Sequence, residues 1–236
     1  MFLWDPSYII FMLPAFLLVM LAQIWVRSTY RKWSQVHNSN NISGVEAARH
    51  LLSYGNLHQV TLEGAQGRLS DHYDPRSQIL RLSPAVSQGK SVASLAITAH
   101  EIGHALQDNE DYFPLRFRSA IVPAANIGSN LGWILIIIGL FIRGAFGTQL
   151  AWMGVMAFAL GAVFSIATLP VELNASARAQ ALLTTSGLIQ TDEDLRGVKA
   201  VLNAAAFTYI AALAAALLQL LYYISLVSGV SGRRRR

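Results

Sequence analysis

Four stretches of this chain run for twenty residues or more without a charged side chain: 7–26 (SYIIFMLPAFLLVMLAQIWV), 120–142, 150–169 and 202–228. About 20 predominantly apolar residues in a helix cross the hydrocarbon core of a bilayer. A soluble core helix rarely goes that long without charge, and lipid tolerates a backbone only when its polar groups are paired within a helix or a closed barrel. The expected fold class is therefore an α-helical membrane protein with about four transmembrane helices. Composition agrees, with 13% charged residues against about 25% in an average soluble domain. Before the first stretch the only charged side chain is Asp5, and Arg27, Arg31 and Lys32 follow it. A signal peptide would carry a basic start and a small-residue cleavage site, so the first stretch reads as a retained signal anchor.

The sequence between these stretches is polar and carries its own signals. Residues 28–119 form one mixed region and 170–199 a second, separated by a hairpin of the 120–142 and 150–169 spans. Ser43-Gly-Val-Glu46 has the capping-box pattern, in which a serine caps the helix start and a glutamate reaches back to it. It predicts a helix over 44–54, stopped by Gly55. Residues 57–63 and 78–82 alternate like strands, with the turn-rich Asp71-His72-Tyr73-Asp74-Pro75 between them. A helix over 91–107 has an apolar stripe of Leu95, Ala99, Ile102 and Leu106. Thr191 followed by Asp192, Glu193 and Asp194 reads as another helix start, with acids favoured by the helix dipole.

That 91–107 helix carries His100-Glu101-Ile102-Gly103-His104, an HExxH motif. One turn of helix puts the two histidines on one face, where both can hold one zinc ion, and the intervening glutamate can act as base on a water the ion activates. The chain has no cysteine, so a zinc site must use histidine and carboxylate. A catalytic zinc takes three protein ligands. The metzincin solution fails, because Gln107 and Glu110 stand where that pattern has glycine and histidine. Downstream, Asp108, Glu110 and Asp111 are too close along the chain to fold back, and the 192–194 acids belong to a helix start. Glu172 remains, just after Pro170 at the end of the third span. The hairpin returns it to the side that holds the histidines, which favours a metal ligand over a capping or snorkelling acid. The order of strands, motif helix and later glutamate helix is that of a small α+β zincin-like metalloprotease domain.

The stretches DHYDPRSQILRLSPAV, TAHEIGHALQD and LPVELNASARA resemble the YugP-like family of membrane zinc metallopeptidases, over nearly the whole chain. More distantly, the motif followed by a glutamate helix is similar to the HtpX and CAAX-prenyl-protease type of gluzincin. The resemblance implies Zn2+ held by His100, His104 and Glu172, with Glu101 as general base. Where HtpX proteins have an aspartate, this chain has Ser176, so Asn174, Ser176 or Arg178 would support the ligands instead. His72, Tyr73 and Arg178 are candidates for stabilising the oxyanion. The strand at 78–82 is a candidate edge for pairing with an extended substrate. Asp71 and Asp74 read as turn caps, and His37, His50 and His58 as structural or surface residues.

The expected function is a multi-pass membrane zinc endopeptidase acting on membrane-associated or unfolded protein chains. The alternative is a non-enzymatic membrane adaptor with a structural or vestigial zinc site, but such a site needs no Glu101. A transporter would want ionisable residues inside its spans, and the four stretches hold none. The net charge of +5 includes the terminal Arg233–Arg236, and the other basic residues cluster near span ends where anionic lipid explains them. No nucleic-acid partner is expected; the partners are a peptide substrate, the bilayer, and a membrane protein or second copy. Arg27, Arg31, Lys32, Arg116, Arg118, Arg196 and Lys199 flank the active-site side, against Arg143 and the arginine tail on the other. The positive-inside rule then puts the site on the cytoplasmic face of the plasma (inner) membrane.

Overall fold

A computed structural model describes residues 6–67 and 70–234. Asp5 and the last two residues of the arginine tail lie outside the described residues. In chain order the elements are α1 (Pro6–Trp33), α2 (Gly44–Tyr54), β1 (Thr61–Gly64), β2 (His72–Asp74), β3 (Ile79–Leu82) and α3 (Pro84–Ser87). There follow α4 (Val92–Asn109), α5 (Phe113–Phe141), α6 (Ala145–Thr185) and α7 (Asp192–Arg234). Helices α1, α5, α6 and α7 are each long and apolar enough to cross a membrane. The fold class is membrane α-helical with a small α+β region around a three-stranded sheet.

Two compact units divide the chain. One comprises the described parts of 1–22, 117–169 and 209–236; the other comprises 23–116 and 170–208. In the first, a small cluster of Ile136, Ala151, Val155 and Val227 is buried, while Ile10, Phe16, Met153 and Met156 are exposed. Helices α5 and α6 approach through small residues: a Cβ on Gly132 would lie 2.6 Å from the Phe158 nitrogen, and one on Gly139 2.4 Å from that of Ala151. Small residues at helix crossings are the usual means of close packing where lipid supplies no hydrophobic drive.

The second unit has a water-type core. Leu51, Leu57, Leu80, Leu82, Leu95, Ile102 and Leu183 are all buried in one cluster. Its elements begin where local chemistry starts them. The Ser43 hydroxyl accepts from the Glu46 N–H, and the Glu46 carboxylate accepts from the Ser43 N–H at 2.7 Å, closing the capping box of α2. Ser91 caps α4 by accepting from the Ser94 N–H. Thr191 accepts from the Asp194 N–H at the start of α7. The sheet order is β1-β3-β2, with β1 parallel and β2 antiparallel to β3.

Three expectations are corrected here. The strand at 78–82 is not an edge: β3 is the central strand, paired on both sides, so it cannot accept an extended substrate. Its alternating pattern reports burial of Leu80 and Leu82, not an open edge. The strand expected at 57–63 begins only at Thr61, because Leu57 and Val60 are held in turns by bonds from their N–H groups to the Leu52 and Leu57 carbonyls. Residues 170–185 do not start a new element either. They continue α6 through Pro170, and at 1.5 Å per residue that helix is about twice the length a bilayer core requires.

Candidate metal centre

Helix α4 buries one face and offers the other. Leu95, Ala96, Ala99 and Ile102 pack into the core of the second unit, and the i, i+4 spacing turns His100 and His104 onto a partly exposed face. Their rings meet edge to face at 4.8 Å between centroids. Glu172, on the part of α6 that belongs to the same unit, reaches them from the side. Its Oε2 lies 3.2 Å from Nε2 of His100 and 3.5 Å from Nε2 of His104. The carboxylate is 3% exposed and the two imidazoles 13% and 12%. No other group of three such side chains is present among the described residues.

The close approach of these two helices depends on Gly103. A Cβ there would sit 2.4 Å from the Ala175 carbonyl oxygen, nearer than any real contact of that kind. The position between the two histidines must therefore lack a side chain for Glu172 to reach them. Sequence reading treats it as an arbitrary residue of HExxH, and only the packing shows the requirement.

The donor set fits a zinc ion. Zinc takes imidazole nitrogen and carboxylate oxygen at about 2.0–2.2 Å in a tetrahedron. The edge of such a tetrahedron is about 3.4 Å, and two donor separations here are 3.2 and 3.5 Å. All three donor atoms fall within 4.8 Å of one another.

Each imidazole is also held from behind. The Nδ1 of His100 is 3.2 Å from the Ser176 hydroxyl. The Nδ1 of His104 is 3.0 Å from Oε1 of Gln107. Of the three support candidates, Ser176 touches a ligand directly, whereas Asn174 and Arg178 lie further along. In the sequence Gln107 registers only as a departure from the metzincin pattern, and its i+3 position relative to His104 is the signal of this contact.

Glu101 points elsewhere than its flanking histidines. Its Oε2 accepts the main-chain N–H of Tyr73 on β2 at 3.1 Å. Burial pushes its carboxyl above the usual range, partly offset by the imidazoles beside it, with the Glu172 charge adding to the rise. The Tyr73 side chain is buried and donates its hydroxyl to Asp108 at 2.8 Å. Burial and that carboxylate push the phenol well above its ordinary value.

The remaining candidates are engaged as follows. His72 is exposed, with Nδ1 2.8 Å from the Ser70 carbonyl; strand alternation turns its ring to the opposite face of β2 from Tyr73. Arg178 donates from Nε to Asn174 at 2.7 Å and pairs through Nη1 with Glu110 at 2.7 Å, and its guanidinium stacks over Tyr112. The Arg178 partner holds the Glu110 carboxyl below its usual range. Asp71 accepts from the Ser83 N–H and hydroxyl, and Asp74 from the Arg76 N–H and the Ser77 hydroxyl. Asp74 thus caps the turn between β2 and β3, whereas Asp71 caps no turn and ties the start of β2 to the segment after β3.

Comparison with known proteins gives the same direction. A family model described as "Putative neutral zinc metallopeptidase" matches residues 8–228. The chain is 38% identical over 203 residues to a protein of Bacillus subtilis (strain 168) named "Putative membrane protease YugP". That alignment covers 86% of this chain and 88% of the relative. No solved structure matches the chain.

Proposed function

The chain belongs to that zinc metallopeptidase family, and on this premise we propose that it is an integral membrane zinc endopeptidase whose ligands are His100, His104 and Glu172. The observation that carries the reading is the convergence of two imidazole nitrogens and one buried carboxylate oxygen within 4.8 Å of one another. Zinc held there supplies Lewis acidity toward water and a peptide carbonyl. Glu101 is the general base: it takes a proton from the attacking water and returns it to the leaving amine nitrogen. The Tyr73 N–H orients the Glu101 carboxylate by donating to one oxygen, which leaves the other to face the water.

The substrate would be a membrane-associated or unfolded protein segment in extended form. Because β2 is an edge strand of the sheet and lies beside Glu101, its outer side is the one along which such a segment would align. The oxyanion donor belongs to the set His72, Tyr73 and Arg178, which single substitutions separate. The site would face the cytoplasm at the plasma membrane, on the distribution of basic residues around the spans.

The test is cleavage of unfolded casein by the full chain in detergent, with zinc content measured alongside. Wild type hydrolyses casein, a chelator stops it, and zinc restores it. A zinc-loaded wild type that cleaves neither casein nor any membrane-protein segment offered would contradict the reading.

A further inference from the structure

Gln107 is fully buried and makes three hydrogen bonds at once. Its Oε1 faces Nδ1 of His104 at 3.0 Å. Its Nε2 donates to the Val171 carbonyl at 2.8 Å and to Oδ1 of Asn174 at 2.9 Å. Val171 immediately precedes Glu172 on α6. One side chain of the motif helix thus grips both His104 and the backbone that presents the carboxylate.

The direction of these bonds follows from donor and acceptor chemistry. A guanidinium can only donate, so the Asn174 atom that receives Arg178 Nε at 2.7 Å is its oxygen. That oxygen can only accept from Gln107. The Val171 carbonyl can likewise only accept. Both neighbours therefore require the Gln107 nitrogen, and its oxygen is left for His104. An amide oxygen facing an imidazole requires a proton on that ring nitrogen. His104 therefore carries a proton at Nδ1, and Nε2 is the ring atom left to face Glu172, 3.5 Å away. Ser176 behind His100 imposes nothing similar, since a hydroxyl both donates and accepts.

We propose that Gln107 is a positioning residue that sets the tautomer of His104 and ties it to the Glu172 backbone, so that two of the three ligands are oriented together before any ion arrives. The proposal rests on the zinc reading of the site. It adds a specific chain of control: Glu110 holds Arg178, Arg178 fixes the Asn174 amide, Asn174 and Val171 fix Gln107, and Gln107 fixes His104.

The experiment is nitrogen NMR of the histidine-labelled full chain in detergent, metal-free, at a pH where imidazoles are neutral, together with zinc affinity by chelator competition. Wild type is expected to hold His104 as the Nδ1–H tautomer. Gln107→Met, of similar length and without an acceptor oxygen, is expected to mix the tautomers and to weaken zinc binding about 10- to 100-fold. Gln107→Glu keeps an acceptor for His104 but loses the donor to Val171 and Asn174, so it is expected to hold the tautomer while still weakening zinc binding. A wild-type His104 carrying its proton on Nε2 overturns the proposal by itself, even if Gln107→Met does not fold. A tautomer unchanged in Gln107→Met overturns it too, whatever the affinity does. Wild type that holds the Nδ1–H tautomer but binds no zinc would contradict the metallopeptidase reading while supporting the role of Gln107.

Discussion

The two units of this protein use the same residues in opposite ways. In the unit of 23–116 and 170–208, Leu51, Leu80, Leu95 and Leu183 are packed inside one core. In the other, Phe16 is 63% exposed and Met156 70% exposed, arrangements that would be costly in water and cost nothing against lipid tails. Close helix contacts serve different ends too. Gly132 and Gly139 let α5 and α6 pack where no hydrophobic drive operates. Gly103 lets α4 and α6 approach so that a carboxylate can meet two imidazoles. One unit uses small residues to stay assembled, the other to set the dimensions of a metal site.

The sharpest test of that division is chemical. Glu101→Gln removes the base and leaves every proposed ligand in place. Casein hydrolysis should fall at least about 100-fold with zinc stoichiometry unchanged, as read by metal analysis of the purified protein. A variant that lost zinc as well would show that Glu101 holds the ion.

A paired substitution breaks the comparison directly. Gly103→Ala forces its new Cβ against Ala175, so zinc affinity should drop by about tenfold or more by chelator competition. Gly132→Ala forces the same kind of clash between α5 and α6, costing about 1–3 kcal/mol. It should lower the midpoint of thermal unfolding in detergent and leave zinc affinity as in wild type. Zinc loss in both variants would mean that the units do not divide the work in this way.

Smaller effects follow from Tyr73. Tyr73→Phe removes the bond to Asp108 but keeps the main-chain N–H that holds Glu101. The expected cost is about 1 kcal/mol of stability, with casein turnover retained; a fall of about 100-fold would assign the phenol to the oxyanion. Because the folded state holds the Tyr73 proton above the ordinary tyrosine value, only the unfolded chain releases it near pH 10. Wild type therefore loses stability as pH rises past about 10, and Tyr73→Phe flattens that loss. The smallest change is Ser43→Ala, which opens the capping box of α2 and should cost about 1 kcal/mol without touching zinc or turnover.

What was legible in the sequence was local. The i, i+4 histidines, the Ser43–Glu46 box and the charge-free spans each depend on residues within a few turns of one another, where periodicity and capping rules act directly. Glu172 was reached by elimination, because few acids lie downstream of the motif. The central position of β3 was not legible: Leu80 and Leu82 declare a buried strand, but not which partners flank it. The continuity of α6 was hidden by Pro170 and by the polar run after it, which imitate a helix end. Gly103 and Gln107 were hidden because their importance lies in what faces them from α6, Ala175 in one case and Val171 with Asn174 in the other.

The central claim is a three-ligand zinc site completed by Glu172, far beyond the motif in the chain, and zinc content of wild type against Glu172→Ala tests it most directly. The account predicts one zinc per wild-type chain and its loss from Glu172→Ala, with both proteins equally folded by circular dichroism. Zinc retained at full stoichiometry and unchanged affinity in Glu172→Ala would contradict it.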